Sequence, residues 1–309
     1  MLQTNDAHYL TFETGGTKLV AGVADGRAKL LETRVVYRRS DDQAPTSFAN
    51  VLKQGSDLKA EYEAKGVKFG AVGFGFGGTV VRSARRPHLC LHEDGWENID
   101  VVGELEREFS LPATIENDCK LAALAEAHFG AGTGAETVFY MTIGTGVGGG
   151  IVRQGRIQQF SDIGEAEIGH IVVAPDGPPC CCGSRGCVEA VCSGPGMTQL
   201  AEWMSGAPGA SSQQLMEGAF SGDEFAAQVV ERAAGYLATA IAAAINLTAA
   251  DCFIIGGGVG TGEPRYLKMI EAKTKPLVVP YFRDKFKMEA SALGEAVVTQ
   301  GAAVLASQL

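Results

Sequence analysis

Apolar runs that break at clustered glycines recur along the chain, in "HYLTFETGGTKLVAGVAD", "KFGAVGFGFGGTVV", "ETVFYMTIGTGVGGGIVRQGRI" and "CFIIGGGVG". Each reads as a strand running into a glycine turn. In the first and third the apolar pattern resumes directly after the glycines, which predicts β-hairpins with tight tips. Between these runs, apolar residues recur at helical spacing in "DCKLAALAEAHF" from Asp118 and in "EFAAQVVERAAGYLATAIAAAINL" from Glu224. Strands and helices mixed in this order predict an α/β fold. The doubled glycine hairpin is a weak internal echo; no other repeat or low-complexity linker is evident. A chain of 309 residues is long enough for two domains, each with its own core.

Composition adds limits. With 46% hydrophobic and 20% charged residues the chain reads as globular. A net charge of -10 repels phosphate backbones and anionic lipid, so nucleic acid and membrane are not expected partners. The local exception, "RSARRPH" at Arg82 to His88, reads as a solvated loop. The N-terminus has no basic stretch followed by an apolar run, and the Ala-rich segment from Ala233 is interrupted by Thr, Asn and Asp, reading as a buried helix and a strand. A cytoplasmic location is the expectation.

Four of the eight cysteines fall in "HIVVAPDGPPCCCGSRGCVEA", His170 to Ala190. Consecutive cysteines cannot easily reach disulfide geometry. In an extended segment Cys180 and Cys182 face one side and Cys181 the other. Cys187 returns after a Gly-Ser-Arg-Gly turn, and His170 lies just upstream. Three thiolates and an imidazole make the closed tetrahedral set of structural Zn2+, against the alternative of free thiols in a reducing compartment.

The glycine loops point to phosphate. Gly144, Gly146 and Gly149 fit G-x-G-x-x-G, as do Gly73, Gly75 and Gly78, but "GGGIVRQGRI" continues as strand where a dinucleotide site needs a helix to open. No G-x-x-x-x-G-K-[ST] is present. What remains is a pair of hairpins, "ETGGTK" (Glu13 to Lys18) and "TIGTGVGGG" (Thr142 to Gly150). Without Cβ atoms their N–H groups approach phosphate oxygens closely, and Thr hydroxyls add donors. The competing reading of each loop alone is an ordinary turn. Asp118, between a strand-like run and a helix, fits a helix cap as well as a general base.

The blocks "ETGGTK", "ENDCKLAALAE", "TIGTGVGGG", "EIGH", "CCCGSRGCVEA", "SGPG" and "IIGGGV" occur in the order seen in the ROK family of sugar kinases and sugar-responsive repressors, which the chain resembles over nearly its whole length. The E-x-G-H and C-x-C-G-x-x-G-C-x-E blocks are its most specific marks. The resemblance implies an actin-like ATPase (ribonuclease H-like) fold with two lobes, a sugar in the cleft, ATP with Mg2+ between the lobes, and a homodimer. The smaller lobe is expected over residues 1–118 plus about 290–309, and the larger lobe, with the zinc motif, over 119–289.

By that resemblance Asp118 is the catalytic base, kept ionised by its helix N-terminus, and Asn117, Glu167, His170 and Glu189 hold the hexose hydroxyls, with Gly78 a further sugar contact. His170 is expected to be shared, one ring nitrogen on zinc and the other toward the sugar. Gly15, Gly16, Thr17, Lys18, Thr145 and Gly146 match the phosphate loops. Gly256, Gly257 and Gly258 match a turn near the adenosine. Glu13 stands where the family usually has aspartate, which keeps a carboxylate for a water-mediated Mg2+ contact on a longer side chain.

The implied activity is ATP-dependent phosphorylation of a hexose, glucokinase-like, with a fructokinase or an N-acetylmannosamine or N-acetylglucosamine kinase as alternatives. A repressor needs a helix-turn-helix before the first hairpin, and twelve residues precede Glu13. A non-catalytic sugar sensor would have no need of Asp118.

Overall fold

The computed structural model describes residues 7–16, 18–39, 42–90 and 93–309. The chain divides into two compact units, residues 1–129, 155–165 and 293–309 in the first and 130–154 and 166–292 in the second.

The first unit holds β1 (His8–Thr14), β2 (Lys18–Ala24), β3 (Leu30–Tyr37), α1 (Ala44–Glu63), β4 (Phe69–Phe76), β5 (Thr79–Val81), β6 (Arg86–Leu89), α2 (Val101–Phe109), β7 (Ala113–Asn117) and α3 (Asp118–Phe129). The short β10 (Arg156–Ile157) and the C-terminal α10 (Val297–Ala306) complete it. Its main sheet has the order β3-β2-β1-β4-β7, with β1–β2 the first glycine hairpin and β4 and β7 parallel to β1. An aromatic core of Phe12, Phe48, Phe74, Phe76, Phe109 and Trp96 lies among its buried side chains. Strand β4 alternates that apolar face with glycine, and a methyl on Gly73 would overlap the Ala302 carbonyl, so glycine lets α10 lie directly on the sheet. Helix α3 packs beside α10, which places it in this unit although the sequence expectation drew the boundary at residue 118.

The second unit holds β8 (Thr137–Ile143), β9 (Val147–Arg153), α4 (Val188–Cys192), α5 (Gly194–Ser205), α6 (Ser212–Ala219), α7 (Glu224–Thr248), β11 (Cys252–Gly256), α8 (Gly258–Thr261), α9 (Pro264–Thr274) and β12 (Lys287–Ala290). Its strands run β9-β8-β11-β12, again an antiparallel hairpin followed by parallel strands. Helix α7 starts at Asp223, whose side chain accepts from Ala226 N–H at 3.0 Å, and buries an alanine-rich face. Its small side chains leave Leu237, Ile241 and Ile245 to fill an aliphatic core with Phe253 and Tyr266. Among the described residues no helix is long and apolar enough to cross a membrane.

Register places the glycine tips. Glu13 pairs with Gly75 and Gly75 with Glu116, so one row crosses three strands of the first sheet, and Phe76 pairs with Asn117 in the next. The β1–β2 tip, Gly77 and Asn117–Asp118 therefore share the C-terminal edge of the parallel strands, where α/β sheets bind ligands. In the second sheet Thr142 pairs with Gly256, which brings the β8–β9 tip beside the turn at Gly257–Gly258.

Candidate active site

In the first unit the β1–β2 hairpin closes through Gly15 N–H to the Lys18 carbonyl at 3.0 Å, and Gly77 N–H donates to the Thr14 carbonyl at 3.0 Å. Gly15 and Gly16 form the tip; Thr17 lies outside the described residues. Lys18 Nζ sits 3.4 Å from the Glu295 carboxylate. Glu13 is buried, and its Oε2 accepts from Thr299 Oγ1 of α10 at 2.9 Å. Burial pushes the Glu13 carboxyl up to about 7, against the opposing pull of Lys18 and the Thr299 hydrogen bond. A cation near this loop would favour its ionised form.

Asn117 ends β7 and Asp118 opens α3. Asn117 Oδ1 accepts from the backbone N–H of Cys119 at 3.0 Å and of Lys120 at 3.2 Å, so asparagine is the helix cap. Its Nδ2 donates to the Gly78 carbonyl at 3.0 Å and to Asp118 Oδ1 at 2.9 Å, and Cys119 N–H also reaches Asp118 Oδ1 at 2.7 Å. Asp118 Oδ2 lies 3.7 Å from where a methyl on Gly77 would stand, so the carboxylate faces the β4–β5 turn next to the β1–β2 hairpin tip. Gly78 contributes its carbonyl to this arrangement.

In the second unit Glu167 is exposed and His170 half-buried, at the two ends of one 3-10 turn whose Glu167 carbonyl accepts from His170 N–H at 3.0 Å. Glu189 lies on α4; its Oε2 accepts from Val147 N–H at 3.0 Å, and its Oε1 lies 3.3 Å from Cys181 Sγ. Thr145 and Gly146 form the β8–β9 tip, and a side chain on Gly146 would run into Glu189. A cavity of about 1020 Å³ is lined by Gly144, Thr145, Pro195, Ser212, Gly258 and Arg265, among others. Of the expected nucleotide residues, Thr145 and Gly258 line it directly, while Gly256 ends β11 and Gly257 turns into α8 with φ 79°. On its wall Arg265 lies 4.3 Å over the Phe220 ring.

His170, Cys180, Cys182 and Cys187 present their donor atoms within 4.8 Å of one another. Cys180 Sγ is 3.7 Å from His170 Nδ1 and Cys182 Sγ 3.6 Å from Cys187 Sγ. These are close to the edges, about 3.8 Å long, of a tetrahedron with Zn–S bonds of about 2.3 Å. Without a cation, burial and the neighbouring thiols push Cys187 up to about 12, so a metal that stabilises thiolates suits the cluster. The turn between the cysteines depends on Gly186: its φ is 61°, and a methyl there would overlap the Ala174 carbonyl. Cys181 is not in that set: Cys180 to Gly183 form a turn rather than an extended segment, with Gly183 N–H donating to the Cys180 carbonyl at 3.0 Å, and Cys181 Sγ lies 3.3 Å from Glu189 Oε1 in a second group with Cys180.

The ROK family model matches residues 9–309. The chain belongs to the ROK family. Within it, this ROK protein is 30% identical to a glucokinase of Thermotoga maritima, over 94% of both chains. It is 32% identical to an N-acetylmannosamine kinase of Escherichia coli, over 94% of this chain and 98% of that one. Among solved structures, a ROK family glucokinase of Streptomyces griseus, in complex with glucose and AMPPNP, superposes with a TM-score of 0.77 at 29% identity, over 98% of this chain and all of that one. The fold is thus the actin-like ATPase fold, and the ROK chain is an ATP-dependent sugar kinase.

Sequence reading missed four charged residues beside this site. Arg82 is no solvated loop residue: with Glu116, Lys120 and Glu165 it forms a buried ion cluster in which the four side chains are 12, 4, 6 and 4% exposed. The one available signal was Lys120, a lysine within the apolar run of α3. Glu295 and Thr299, which reach the first hairpin from the C-terminus, carried none.

Proposed function

We propose that this sugar kinase phosphorylates glucose, with Asp118 as the general base. What carries this reading is the Asp118 carboxylate itself, fixed through Oδ1 by the Cys119 N–H and the Asn117 amide at the edge that also carries the phosphate hairpin. A base so held takes the proton of one sugar hydroxyl as that oxygen attacks the γ-phosphorus of ATP; the bond to the β,γ-bridging oxygen breaks and ADP leaves. Asn117, Glu167, His170 and Glu189, with the Gly78 turn, are proposed to hold the hexose, since carboxylates and amides accept or donate to hydroxyls in fixed directions.

The glycine tips at Gly15–Gly16 and Thr145–Gly146, with Lys18, are assigned to the phosphates, and Gly256–Gly258 with the 1020 Å³ cavity to the adenosine. Mg2+ bound with the nucleotide would neutralise phosphate charge, and Glu13 is assigned to its water shell. His170, Cys180, Cys182 and Cys187 are proposed to hold one structural Zn2+, which supplies rigidity. With Nδ1 turned to the cluster, the His170 ring leaves Nε2 for the sugar. The family likeness also supports a homodimer.

The test is an ADP-coupled assay of the purified protein with ATP, Mg2+ and a panel of glucose, mannose, fructose, N-acetylmannosamine and N-acetylglucosamine, run beside Asp118→Asn. Highest kcat/KM on glucose, and a loss of about 10²–10⁴ in kcat with sugar binding kept in the variant, are expected. Preference for N-acetylmannosamine would reassign the substrate, and full turnover by Asp118→Asn would leave Asp118 a helix-terminal residue.

A further inference from the structure

Between Asp118 and His128, helix α3 is apolar except at Lys120 and Glu126, and Lys120 ends inside the protein. Its Nζ lies 2.9 Å from Glu165 Oε1 and 4.0 Å from Glu116 Oε1. Arg82 completes the group: Nε donates to Glu116 Oε2 at 2.8 Å, and its two terminal nitrogens form a fork on Glu165, Nη1 to Oε2 at 2.9 Å and Nη2 to Oε1. Burial opposes the charge on Glu165, but the hydrogen bonds from Arg82 and Lys120 hold its carboxyl below the usual range. Two cations and two anions thus balance with little exposure to water. Such clusters are no better for stability than apolar packing of the same volume, so what this one orients is the informative question.

Both ends of the Asn117–Asp118 step are tied to it. Glu116 Oε1 accepts the Asn117 N–H at 2.9 Å, and the backbone of Lys120 donates to Asn117 Oδ1 at 3.2 Å. The other side of the cluster anchors the segment that leads into Glu167. Arg82 Nη1 reaches the Ser161 carbonyl at 2.8 Å, and Ser83 holds Asp162 through N–H and Oγ, both at 2.7 Å. One residue separates the anchored Glu165 from Glu167, and that residue, Ala166, is left-handed with φ 57°.

We propose that Arg82, Glu116, Lys120 and Glu165 form a positioning network that aims the Asp118 carboxylate and fixes the approach of the chain to Glu167. The proposal rests on the reading of Asp118 as the base. None of the four touches the reacting atoms; they act through Asn117, Asp118 and the segment 161–167.

The test compares Lys120→Met, Glu165→Gln and the double variant, each with Asp118→Asn alongside, by kcat, KM for both substrates and the pH profile of kcat. Each single variant is expected to lose about tenfold in kcat with the ATP KM unchanged, since small displacements of a base are costly. Lys120→Met leaves an excess negative charge near Asp118, so the acid limb of the profile moves to higher pH. Glu165→Gln leaves an excess positive charge, so the limb moves to lower pH. The double variant restores neutrality through the remaining Arg82–Glu116 pair and returns the limb to its wild-type position. Glu13 on β1 also acts electrostatically on Asp118 and is unchanged in every variant. A merely structural cluster would lower the melting temperature and the active fraction without moving the limb, and that result overturns the proposal. If Lys120→Met does not accumulate folded, the isosteric Glu165→Gln still reports the downward shift. Unmoved limbs with Asp118→Asn inactive defeat the network alone, whereas a fully active Asp118→Asn defeats the base.

Discussion

The two units repeat one strand plan, an antiparallel glycine hairpin with parallel strands added beside its first strand, and surround the tip of that hairpin with opposite kinds of chemistry. In the first unit the tip is framed by Glu13 and Lys18, and behind the neighbouring β7–α3 junction four charges are buried together. In the second the tip is framed by Thr145 and by backbone, Val147 N–H taking Glu189, and the nearby rigidity comes from a knuckle of thiols and imidazole. The shared plan supplies backbone donors at strand C-termini; the side chains decide what those donors are used for. Buried charge suits the half proposed to remove the proton, because its field would reach Asp118. A closed metal set suits the half that only has to hold a ligand still.

The largest way to break this contrast is to remove the metal. Cys182→Ser should lose zinc and raise the sugar KM by about one to two orders of magnitude, with a smaller change for ATP, whereas Cys181→Ser should keep its zinc. Elemental analysis with sugar and nucleotide titrations reads this, and equal zinc loss in both variants, or nucleotide binding failing first, would remove the assigned role.

A smaller effect sharpens the electrostatic side. Burial raises the Glu13 carboxyl to about 7 from the ordinary 4.5 of a glutamate, so folding favours its neutral form. That contribution is fully present below pH 4.5 and is lost as pH rises through about 7. Relative to Glu13→Gln, the ligand-free wild type should lose roughly 3 kcal/mol over that window, and saturating Mg2+ with nucleotide should return much of it. Denaturant titrations of both proteins at several pH values test this; parallel stability curves would mean that Glu13 stays ionised.

The smallest concerns the step between the units. Ala166→Gly relieves a left-handed alanine worth about 1 kcal/mol, and glycine's freedom in the unfolded chain takes back nearly as much. The melting temperature should therefore move by no more than a few degrees and activity should hold. A large loss of activity would show that the Ala166 methyl is itself part of the site.

Local features were the legible ones. Both hairpins, α3 and α7 follow from residues adjacent in sequence, and His170, Cys180, Cys182 and Cys187 meet because one short block carries them. The division of the chain did not: α3 belongs with the first unit because its apolar residues find α10, far off in sequence. Nor did the charge cluster, whose members at 82, 116, 120 and 165 come from four separate segments. An arginine in "RSARRPH" carries no local sign that two carboxylates wait for it. Lys120 did carry one, as a charge set among alanines and leucines.

The packing of α10 on the glycine face of β4 has a consequence for the order of synthesis. The first unit is started first, yet its sheet is only partly covered on that face, by α3, until residues 293–309 have been made, while the second unit needs nothing beyond residue 292. Domains usually complete from the N-terminus as they emerge. Here the half that is started first is finished last, and a chain truncated before α10 would leave the aromatic half open while the half with the cysteine cluster is already complete.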